Sequence, residues 1–493
     1  MADTPLVAGI DCSTQATKVV VRDARDGKAV REGRAAHPEG TETDPRIWWR
    51  ALQESCSGGL LEGVAAIGVG AQQHGMVLVD ADGSVVRPAL LWNDTRSARA
   101  ADDLVREFGG PGAWADAVGL VPVASFTVTK LRWVAENEPQ NADRAARVLL
   151  PHDWLTWRLA GGGGPADEPL GKDATGGGGA GSADATASDR KAAPEPVTDR
   201  GDASGTGYWD ARTGVYRRDL LAAAFGRTLE VPRVAKPADA AGHTPDGVLL
   251  SPGTGDNMAA ALGLGTQPGD VVISVGTSGT AYAVSEKPVV DPSGTVASFA
   301  DATGRFLPLV ATLNAARVLG AAAELLGAGP EELDQLAMSA RPGAGGLTLL
   351  PYLDGERTPN LPDARGSLLG VSRSNLTRAN VARAFVEGML CGLADAVDAL
   401  TGEGIRVERV ILIGGGAQSA AVRAAAPVLL GRPVIVPDPA EYVAIGAARQ
   451  AAWALAGTPE PPAWDTVPAQ VYEGEPIPAV RQAYAAARRT LYG

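Results

Sequence analysis

Residues 6–21 read Leu-Val-Ala-Gly-Ile-Asp-Cys-Ser-Thr-Gln-Ala-Thr-Lys-Val-Val-Val. An apolar run (6–10) ends at Asp11, and a small polar turn separates it from a second β-rich run (18–21). This order predicts a strand, a tight turn and a second strand. It returns at 270–284, where Asp-Val-Val-Ile-Ser-Val leads into Gly-Thr-Ser-Gly and then Thr-Ala-Tyr-Ala-Val. Two similar hairpins, one in each half, predict a duplicated domain.

The sequence after the second hairpin alternates between helical and strand patterns. Residues 313–326 and 378–400 carry apolar side chains at helical spacing. A βαβ unit follows, with a strand at 410–413, a loop at 414–417, a helix at 419–430 and a strand at 433–436. The alternation predicts an α/β fold with parallel strands inside mixed sheets that are flanked by helices.

Length and composition indicate a globular protein of two domains. The chain has 493 residues, of which 45% are hydrophobic, and single cores stop growing at roughly 250 to 300 residues. We therefore predict one domain at 1–245 and a second at 246–493. Lys and Arg number 44 against 57 Asp and Glu, so the net charge is −13. This acidic balance disfavours binding to nucleic acid, whose phosphates require basic patches.

The three cysteines are widely spaced and form no CxxC pair, which fits a reducing compartment. The first five residues lack the basic and apolar regions of a secretion signal. The apolar stretch at 309–329 is broken by Asn314, Arg317 and Glu324, so it falls short of the ~18 residues of a membrane span. We expect a cytoplasmic protein with no membrane partner.

A glycine-rich segment lies between the two hairpins. Residues 161–182 contain ten glycines in 22 positions, and polar sequence continues to about Arg200. Such a segment buries too little apolar surface to offset the entropy lost on ordering. We expect a flexible surface insertion at about 161–200 that interrupts the first domain.

Three turns could hold phosphate or nucleotide groups. The turn at 11–14 combines a carboxylate with N–H and hydroxyl groups that can surround an anion, and the carboxylate can hold Mg²⁺. Alone, it fits a plain hairpin better, but the turn at 276–279 makes a nucleotide cleft the stronger interpretation because its glycines permit close approach. The turn at 414–417 is weaker, since glycines there also serve helix packing. The sequence contains no GxxxxGK[ST], so it predicts no P-loop, and the triple glycine at 414–416 does not follow the GxGxxG dinucleotide spacing.

A carboxylate in a glycine-flanked turn (253–257) precedes a helical pattern at 258–264. Asp256 can cap that helix, or it can serve as the general base that removes a proton from a substrate hydroxyl. Amide, imidazole and aromatic groups at 72–75 and 91–96 suit a polyhydroxylated ligand, because every sugar hydroxyl needs a hydrogen-bond partner. The other histidines, His37, His152 and His243, are isolated and predict no transition-metal site.

In this order, the motifs resemble those of the FGGY carbohydrate kinases over nearly the whole chain apart from the insertion. The segments that carry the resemblance are 11–18, 72–75, 91–96, 253–257, 276–279, 350–359 and 413–418. Three of them, Gln-Gln-His-Gly, Leu-Trp-Asn-Asp and Gly-Glu-Arg-Thr-Pro, favour the branch that converts D-xylulose to D-xylulose 5-phosphate in xylose catabolism.

The resemblance implies two actin-like (ribonuclease-H-like) domains around a cleft, with sugar mainly on the first and ATP and Mg²⁺ mainly on the second. It implies that Asp256 is the catalytic base and that Asp11 is the metal ligand. The implied sugar-site residues are Gln73, His74, Trp92, Asn93, Asp94, Asp256 and Asn257. The implied nucleotide-site residues are Asp11, Ser13, Thr14, Lys18, Gly276, Thr277, Ser278, Gly279, Gly414, Gly415, Gly416 and Ala417.

Two positions depart from the family pattern. Ser13 replaces a glycine but keeps a hydroxyl and an N–H, and Gln73 replaces a methionine of many members, so an amide stands where they have an apolar contact. Ribulose, gluconate or glycerol are therefore alternative substrates. An actin-like ATPase module without sugar kinase activity, or a silent sugar sensor, is a more remote alternative. The resemblance is also compatible with a homodimer.

Overall fold

The structure is a computed structural model that describes residues 5–164, 194–465 and 467–492. The strands of the first half are β1 (Leu6–Cys12), β2 (Ala16–Asp23), β3 (Ala29–Ala36), β4 (Glu42–Thr43), β5 (Val64–Ala71), β6 (Val77–Val79), β7 (Ala89–Leu90), β8 (Arg147–Leu149), β9 (Val197–Thr198), β10 (Trp209–Asp210), β11 (Val215–Tyr216), β12 (Arg233–Val234), β13 (Gly242–His243), β14 (Leu249–Leu250) and β15 (Thr254–Gly255). Its helices are α1 (Pro45–Ser55), α2 (Ala98–Glu107), α3 (Pro111–Val118), α4 (Thr127–Asn137), α5 (Pro139–Arg144), α6 (Pro151–Leu159), α7 (Arg200–Ser204) and α8 (Arg218–Phe225).

The second half begins with a helix. Its helices are α9 (Asp256–Leu264), α10 (Ala316–Leu326), α11 (Pro330–Ser339), α12 (Arg378–Gly402), α13 (Ala420–Leu430), α14 (Tyr442–Ala456) and α15 (Pro478–Tyr492). Its strands are β16 (Asp270–Val275), β17 (Gly279–Ala283), β18 (Ala297–Ala300), β19 (Phe306–Thr312), β20 (Thr348–Leu350), β21 (Ser367–Leu369), β22 (Arg409–Ile413), β23 (Val434–Pro437) and β24 (Ala469–Tyr472). Short 3₁₀ turns occupy Ala344–Gly346 and Gly415–Gln418.

Two large mixed sheets repeat one arrangement. The first has the order β13–β14–β5–β1–β2–β3, with β15 also on β5, and the second has the order β18–β19–β17–β16–β22–β23–β24. In the first, β1 pairs antiparallel with β2 and parallel with β5. In the second, β16 pairs antiparallel with β17 and parallel with β22. The predicted hairpins, the duplication and the α/β fold class are confirmed.

A helix that the sequence analysis did not predict, α14, packs between the two sheets. Its small residues let it lie directly on the first sheet, because a Cβ added at Gly9 would come within 1.8 Å of the Ala444 carbonyl oxygen. Ala444 and Ala448 belong to the apolar cluster on the first sheet, whereas Ile445 belongs to a larger apolar cluster that contains residues of both halves, including strands of the second sheet. A helix from the end of the chain thus covers the sheet at its beginning.

The predicted insertion at 161–200 is only partly described. Residues 165–193 lie outside the described residues. The prediction is wrong for the segment's end, because β9 pairs with β12 and the Asp199 carboxylate accepts hydrogen bonds from the N–H groups of Gly201 and Asp202. Strand pairing and capping satisfy polar groups that composition alone suggested would stay in water.

The predicted domain boundary lies near the point where the first sheet is completed. Strands β14 and β15 come after residue 245 and both pair with β5 of that sheet, so the division into 1–245 and 246–493 stays a prediction. Among the described residues, no helix is long and apolar enough to cross a bilayer.

Candidate active site

Asp11 provides a carboxylate at the end of β1. Lys18 lies opposite it in the β1–β2 register, and the Lys18 Nζ lies 3.4 Å from Asp11 Oδ2 and 2.6 Å from Glu441 Oε2. Burial raises the pKa of Asp11 to about 6 against the opposing effect of Lys18. The Oδ1 of Asp11 is buried and has no hydrogen-bond partner, so one carboxylate oxygen is available to a ligand.

A divalent cation fits this donor. Mg²⁺ prefers oxygen ligands and commonly binds one or two carboxylates together with phosphate oxygens and water. Within residues 5–164, 194–465 and 467–492, no three ligand-type side chains converge on a metal site.

Asp256 is the first residue of α9 and directly follows β15, which pairs with the end of β5. The N-cap position is occupied by Gly255, so the alternative role of Asp256 as the cap does not apply. Burial raises the pKa of Asp256 to about 7, the negative charges of Asp11 and Asp202 add to this, and the N–H donors of Asn257 oppose it. A carboxylate with this proton affinity can accept a proton near neutral pH.

Gln73 and His74 follow the end of β5. The Oε1 of Gln73 accepts a 3.4 Å hydrogen bond from Asn257 Nδ2, while its Nε2 is buried without a partner. His74 has a positive φ of 65°, and its Nδ1–H donates to the Gly205 carbonyl at 2.8 Å. Burial, followed by the charge of Lys130, lowers the pKa of His74 to about 3. The imidazole is therefore neutral and presents Nε2 as an acceptor.

Asn257 links these groups and joins the two halves of the site. Its Nδ2 donates to Asp256 Oδ1 at 2.9 Å and to Gln73 Oε1 at 3.4 Å. Its Oδ1 accepts a 3.4 Å hydrogen bond from Thr280 in β17. The candidate base, a predicted sugar residue and the second hairpin therefore meet at one side chain.

The first turn is connected to the predicted sugar site through Trp92. The Trp92 Nε1–H donates to the Thr14 hydroxyl at 3.0 Å, and that hydroxyl donates to Gln72 Oε1 at 3.4 Å. The Ser13 hydroxyl instead donates to the Ala16 carbonyl within its own turn. Trp92 thus lies where the two predicted sites adjoin.

Asn93 and Asp94 connect their loop to the segment at 40–41. The Asn93 amide donates to the Gly40 carbonyl at 3.2 Å, and the Asp94 carboxylate accepts from the Thr41 hydroxyl and from Arg96 Nε, each at 2.8 Å. Although burial opposes it, these donors lower the pKa of Asp94. A role of these two side chains in sugar binding stays a prediction.

The second and third turns lie side by side. A Cβ added at Gly414 would be 2.7 Å from the Val275 carbonyl oxygen, and one at Gly416 would be 2.4 Å from Val275 Cγ1. The turn at 414–417 therefore packs against the end of β16, where the turn at 276–279 begins. Space above Gly415 is open, with nothing within 4 Å of an added Cβ, so a flat ligand could approach the backbone there.

Several residues that contact the predicted sugar residues were not predicted from the sequence. Lys130 is fully buried, and its Nζ donates to the His74 carbonyl at 2.9 Å and to the Ser125 carbonyl at 2.5 Å. Asp202 and Gly205 lie behind Gln73 and His74, and His152 pairs with Asp202 at 2.6 Å. The sequence pattern Asp199-x-x-Asp202 is typical of a helix N-terminus and could have predicted the short helix α7. It does not indicate that Asp202 pairs with His152.

Comparison with known proteins identifies similar chains. The profile of the FGGY family of carbohydrate kinases matches in two parts, its N-terminal domain at residues 6–175 and its C-terminal domain at residues 271–455. A xylulose kinase from Streptomyces coelicolor is 45% identical over 92% of this chain and 89% of its own length. A xylulose kinase from Streptomyces rubiginosus is 44% identical over 96% of this chain and 93% of its own.

The fold agrees with this similarity. The crystal structure of xylulose kinase from Bifidobacterium adolescentis superimposes with a TM-score of 0.87 at 46% sequence identity, covering 98% of this chain and 99% of that one.

Proposed function

Because the chain belongs to the FGGY family of ATP-dependent carbohydrate kinases, we propose that its substrate is D-xylulose and that it transfers phosphate to the 5-hydroxyl. The relatives and the solved structure that resemble it over nearly all of its length are xylulose kinases. The observation that carries the residue assignment is the contact of Asn257 with Asp256, Gln73 and Thr280. The Asn257 side chain thereby connects the candidate base, a predicted sugar residue and the second hairpin.

Asp256 is the base in this proposal. A general base works best when its pKa lies close to the working pH, and such a base contributes about 10² to 10⁴ in rate. The pKa of Asp256, about 7, meets this condition because burial and the neighbouring carboxylates disfavour its ionised form. The carboxylate accepts the proton of the sugar hydroxyl as that oxygen attacks the terminal phosphorus.

The sugar is oriented by one donor and one acceptor. The free Nε2–H of Gln73 donates to one sugar hydroxyl, and the Nε2 of neutral His74 accepts from another. Each of these sugar hydroxyls replaces a hydrogen bond to water by one to the protein, which limits the cost of desolvation. Lys130 holds the backbone of His74 through its carbonyl, so the imidazole is fixed before sugar binds.

The phosphates lie between the two hairpins in this proposal. Lys18 and the N–H groups of the turn at 11–14 approach them from the first domain, and the turn at 276–279 approaches them from the second. Asp11 would hold Mg²⁺, which would supply positive charge that offsets the charge of the phosphate oxygens. The glycine turn at 414–417 receives the adenosine. Such a site works by positioning and electrostatics more than by covalent chemistry.

A substrate panel tests the proposed function. ADP release from the purified protein is measured with D-xylulose, D-ribulose, gluconate and glycerol, with ATP alone as the control. We expect the highest kcat/KM for D-xylulose and little ADP release without an acceptor. A higher kcat/KM for another member of the panel would contradict the substrate, and ADP release that no polyol stimulates would contradict the kinase activity.

A further inference from the structure

The segment at 199–205 packs against the predicted sugar residues Gln73 and His74. It is tied to β15 by the Thr254 hydroxyl, which donates to Asp199 Oδ2 at 2.7 Å. It is tied to the second sheet by the Ala300 N–H, which donates to the Ser204 hydroxyl oxygen at 3.0 Å. These two anchors lie on either side of Asp202, so its position is set by strands of both sheets.

Asp202 is paired with a buried imidazolium. His152 and Asp202 are both 0% exposed, and His152 Nδ1–H donates to Asp202 Oδ2 at 2.6 Å. The Nε2 of His152 lies 3.2 Å from Asp153 Oδ1 and 3.9 Å from Asp199 Oδ1. Burial alone lowers the pKa of His152, but these carboxylates raise it to about 9. A buried charge of this kind persists only with partners, so His152 holds Asp202 in place.

Asp202 also faces the Gln73 amide. Burial raises the pKa of Asp202, the pair with His152 opposes this, and the side chain of Gln73 lies near enough to oppose it as well. Gln73 Nε2 and Asp202 Oδ1 are both buried, and neither has a hydrogen-bond partner among the described residues. Since the Oε1 of Gln73 faces Asn257, the amide is fixed with its nitrogen toward Asp202.

Gly205 fixes the second sugar residue. Its carbonyl accepts from His74 Nδ1–H, which leaves His74 Nε2 as an acceptor. A Cβ at Gly205 would lie 2.7 Å from His74 Cε1 and 3.3 Å from Gln73 Nε2. Gly205 has an ordinary φ of −83°, so its backbone conformation would suit other residues. Glycine is required here because a side chain would clash with His74.

We propose that Asp202, held by His152, is a positioning residue that determines which sugar the site accepts, by fixing Gln73 as a donor while Gly205 fixes His74 as an acceptor. This inference rests on the proposed function, since it assumes that Gln73 and His74 contact the sugar. A sugar is then accepted if it places one acceptor oxygen at Gln73 and one donating hydroxyl at His74. A site with fixed polar partners rejects isomers that leave those partners unpaired.

The test compares Asp202→Asn with Asp270→Asn as the matched control. Each removes one buried, ion-paired carboxylate, but Asp270 pairs with Arg409 in the second sheet and lies outside the group of carboxylates around His152. For each variant, kcat and KM are measured for D-xylulose and D-ribulose, together with KM for ATP and the thermal unfolding midpoint. For Asp202→Asn we expect KM for D-xylulose to rise about tenfold, equivalent to ~1.4 kcal/mol, with a reduced preference between the two sugars. Its kcat and KM for ATP should change little, and the sugar constants of Asp270→Asn should match the wild type.

Two results would overturn the inference. The first is folded Asp202→Asn protein with wild-type sugar KM and preference, and the second is an equal rise in sugar KM in Asp270→Asn. If Asp202→Asn does not fold, Gly205→Ala takes its place. Its added methyl group would contact the side chains of His74 and Gln73 and would leave both members of the His152–Asp202 pair in place. An unchanged sugar KM in that variant would also overturn the inference.

The wild-type panel separates this inference from the proposed function. If the wild type prefers another polyol, D-xylulose is wrong as the substrate, and the variants are compared on that polyol and its epimer. The variants then test the role of Asp202 independently of which sugar is the substrate.

Discussion

The Oε1 of Gln73 lies 3.4 Å from Asn257 Nδ2, across a sequence separation of 184 residues. Through this contact the end of β5, which carries the predicted sugar residues, meets the start of α9, which carries the candidate base. The same Asn257 amide lies 2.9 Å from the Asp256 carboxylate. Loss of this side chain should therefore affect sugar binding and proton transfer together.

Asn257→Ala tests that coupling. The hydrogen bonds from Asn257 lower the pKa of Asp256, so removal of its side chain should raise that pKa further above its ordinary value. We expect a higher KM for the sugar, lower activity at pH 7 and partial recovery at higher pH. The pH profile of kcat/KM measures this, and an acidic limb that stays at its wild-type position would contradict the assigned contact.

The wild-type enzyme should itself lose activity as the pH falls below about 7. Asp256 has a pKa of about 7 and accepts a proton only when ionised. Activity should therefore fall as the pH falls, because the protonated carboxyl cannot act as a base. A profile of log kcat/KM against pH should fall with a slope of one below that value. Constant activity down to pH 5 would show that no group with this proton affinity is needed.

Gly205→Ala should impair the sugar site without loss of the fold. The added Cβ would lie 2.7 Å from His74 Cε1, although the backbone conformation at this position suits alanine. We expect a raised KM for the sugar and an unchanged KM for ATP in steady-state kinetics. Gly402→Ala is the matched control, because Gly402 also lies at a helix end and an added Cβ there has nothing within 4 Å. Equal kinetics in the two variants would contradict the close packing behind His74.

Lys130→Met should destabilise the protein. It removes the donor to the buried Ser125 carbonyl and one of two donors to the half-buried His74 carbonyl, which keeps the Thr127 hydroxyl, at a cost of about 1 to 3 kcal/mol in the free energy of unfolding. Burial lowers the pKa of Lys130 from 10.5 to about 7, so the unfolded chain binds more protons between these values. Lys130 therefore makes the wild-type stability rise with pH across that window.

Urea unfolding of both proteins at pH 7 and pH 9 measures this contribution. The gain in unfolding free energy from pH 7 to pH 9 should be larger for the wild type than for Lys130→Met. Equal gains in the two proteins would show that Lys130 keeps its ordinary proton affinity in the folded state.

The hairpins, the duplication and the βαβ unit could be predicted because each is encoded within a short stretch. At 6–21 and 270–284, β-rich runs and small turn residues occur within sixteen positions or fewer, and local propensity agrees with the final fold. The glycine-flanked turn before Asp256 was recognisable for the same reason.

The parts that were missed depend on partners far away in the chain. The small residues of α14, such as Ala444 and Ala447, carry no strong amphipathic pattern, and their role emerges only where they meet Gly9 and Gly68 of the first sheet. Likewise, His152 looked isolated because its partner Asp202 lies 50 residues away. Close packing and buried ion pairs of this kind are tertiary features that local patterns do not specify.

The most direct measurement of the central claim is the kcat of Asp256→Asn with D-xylulose, together with the Kd for ATP from calorimetry. The asparagine keeps the shape of the side chain but cannot take up the proton. The account predicts a fall in kcat of about 10² or more with nearly unchanged ATP affinity and thermal stability. A folded Asp256→Asn protein that phosphorylates D-xylulose at close to the wild-type rate would contradict it.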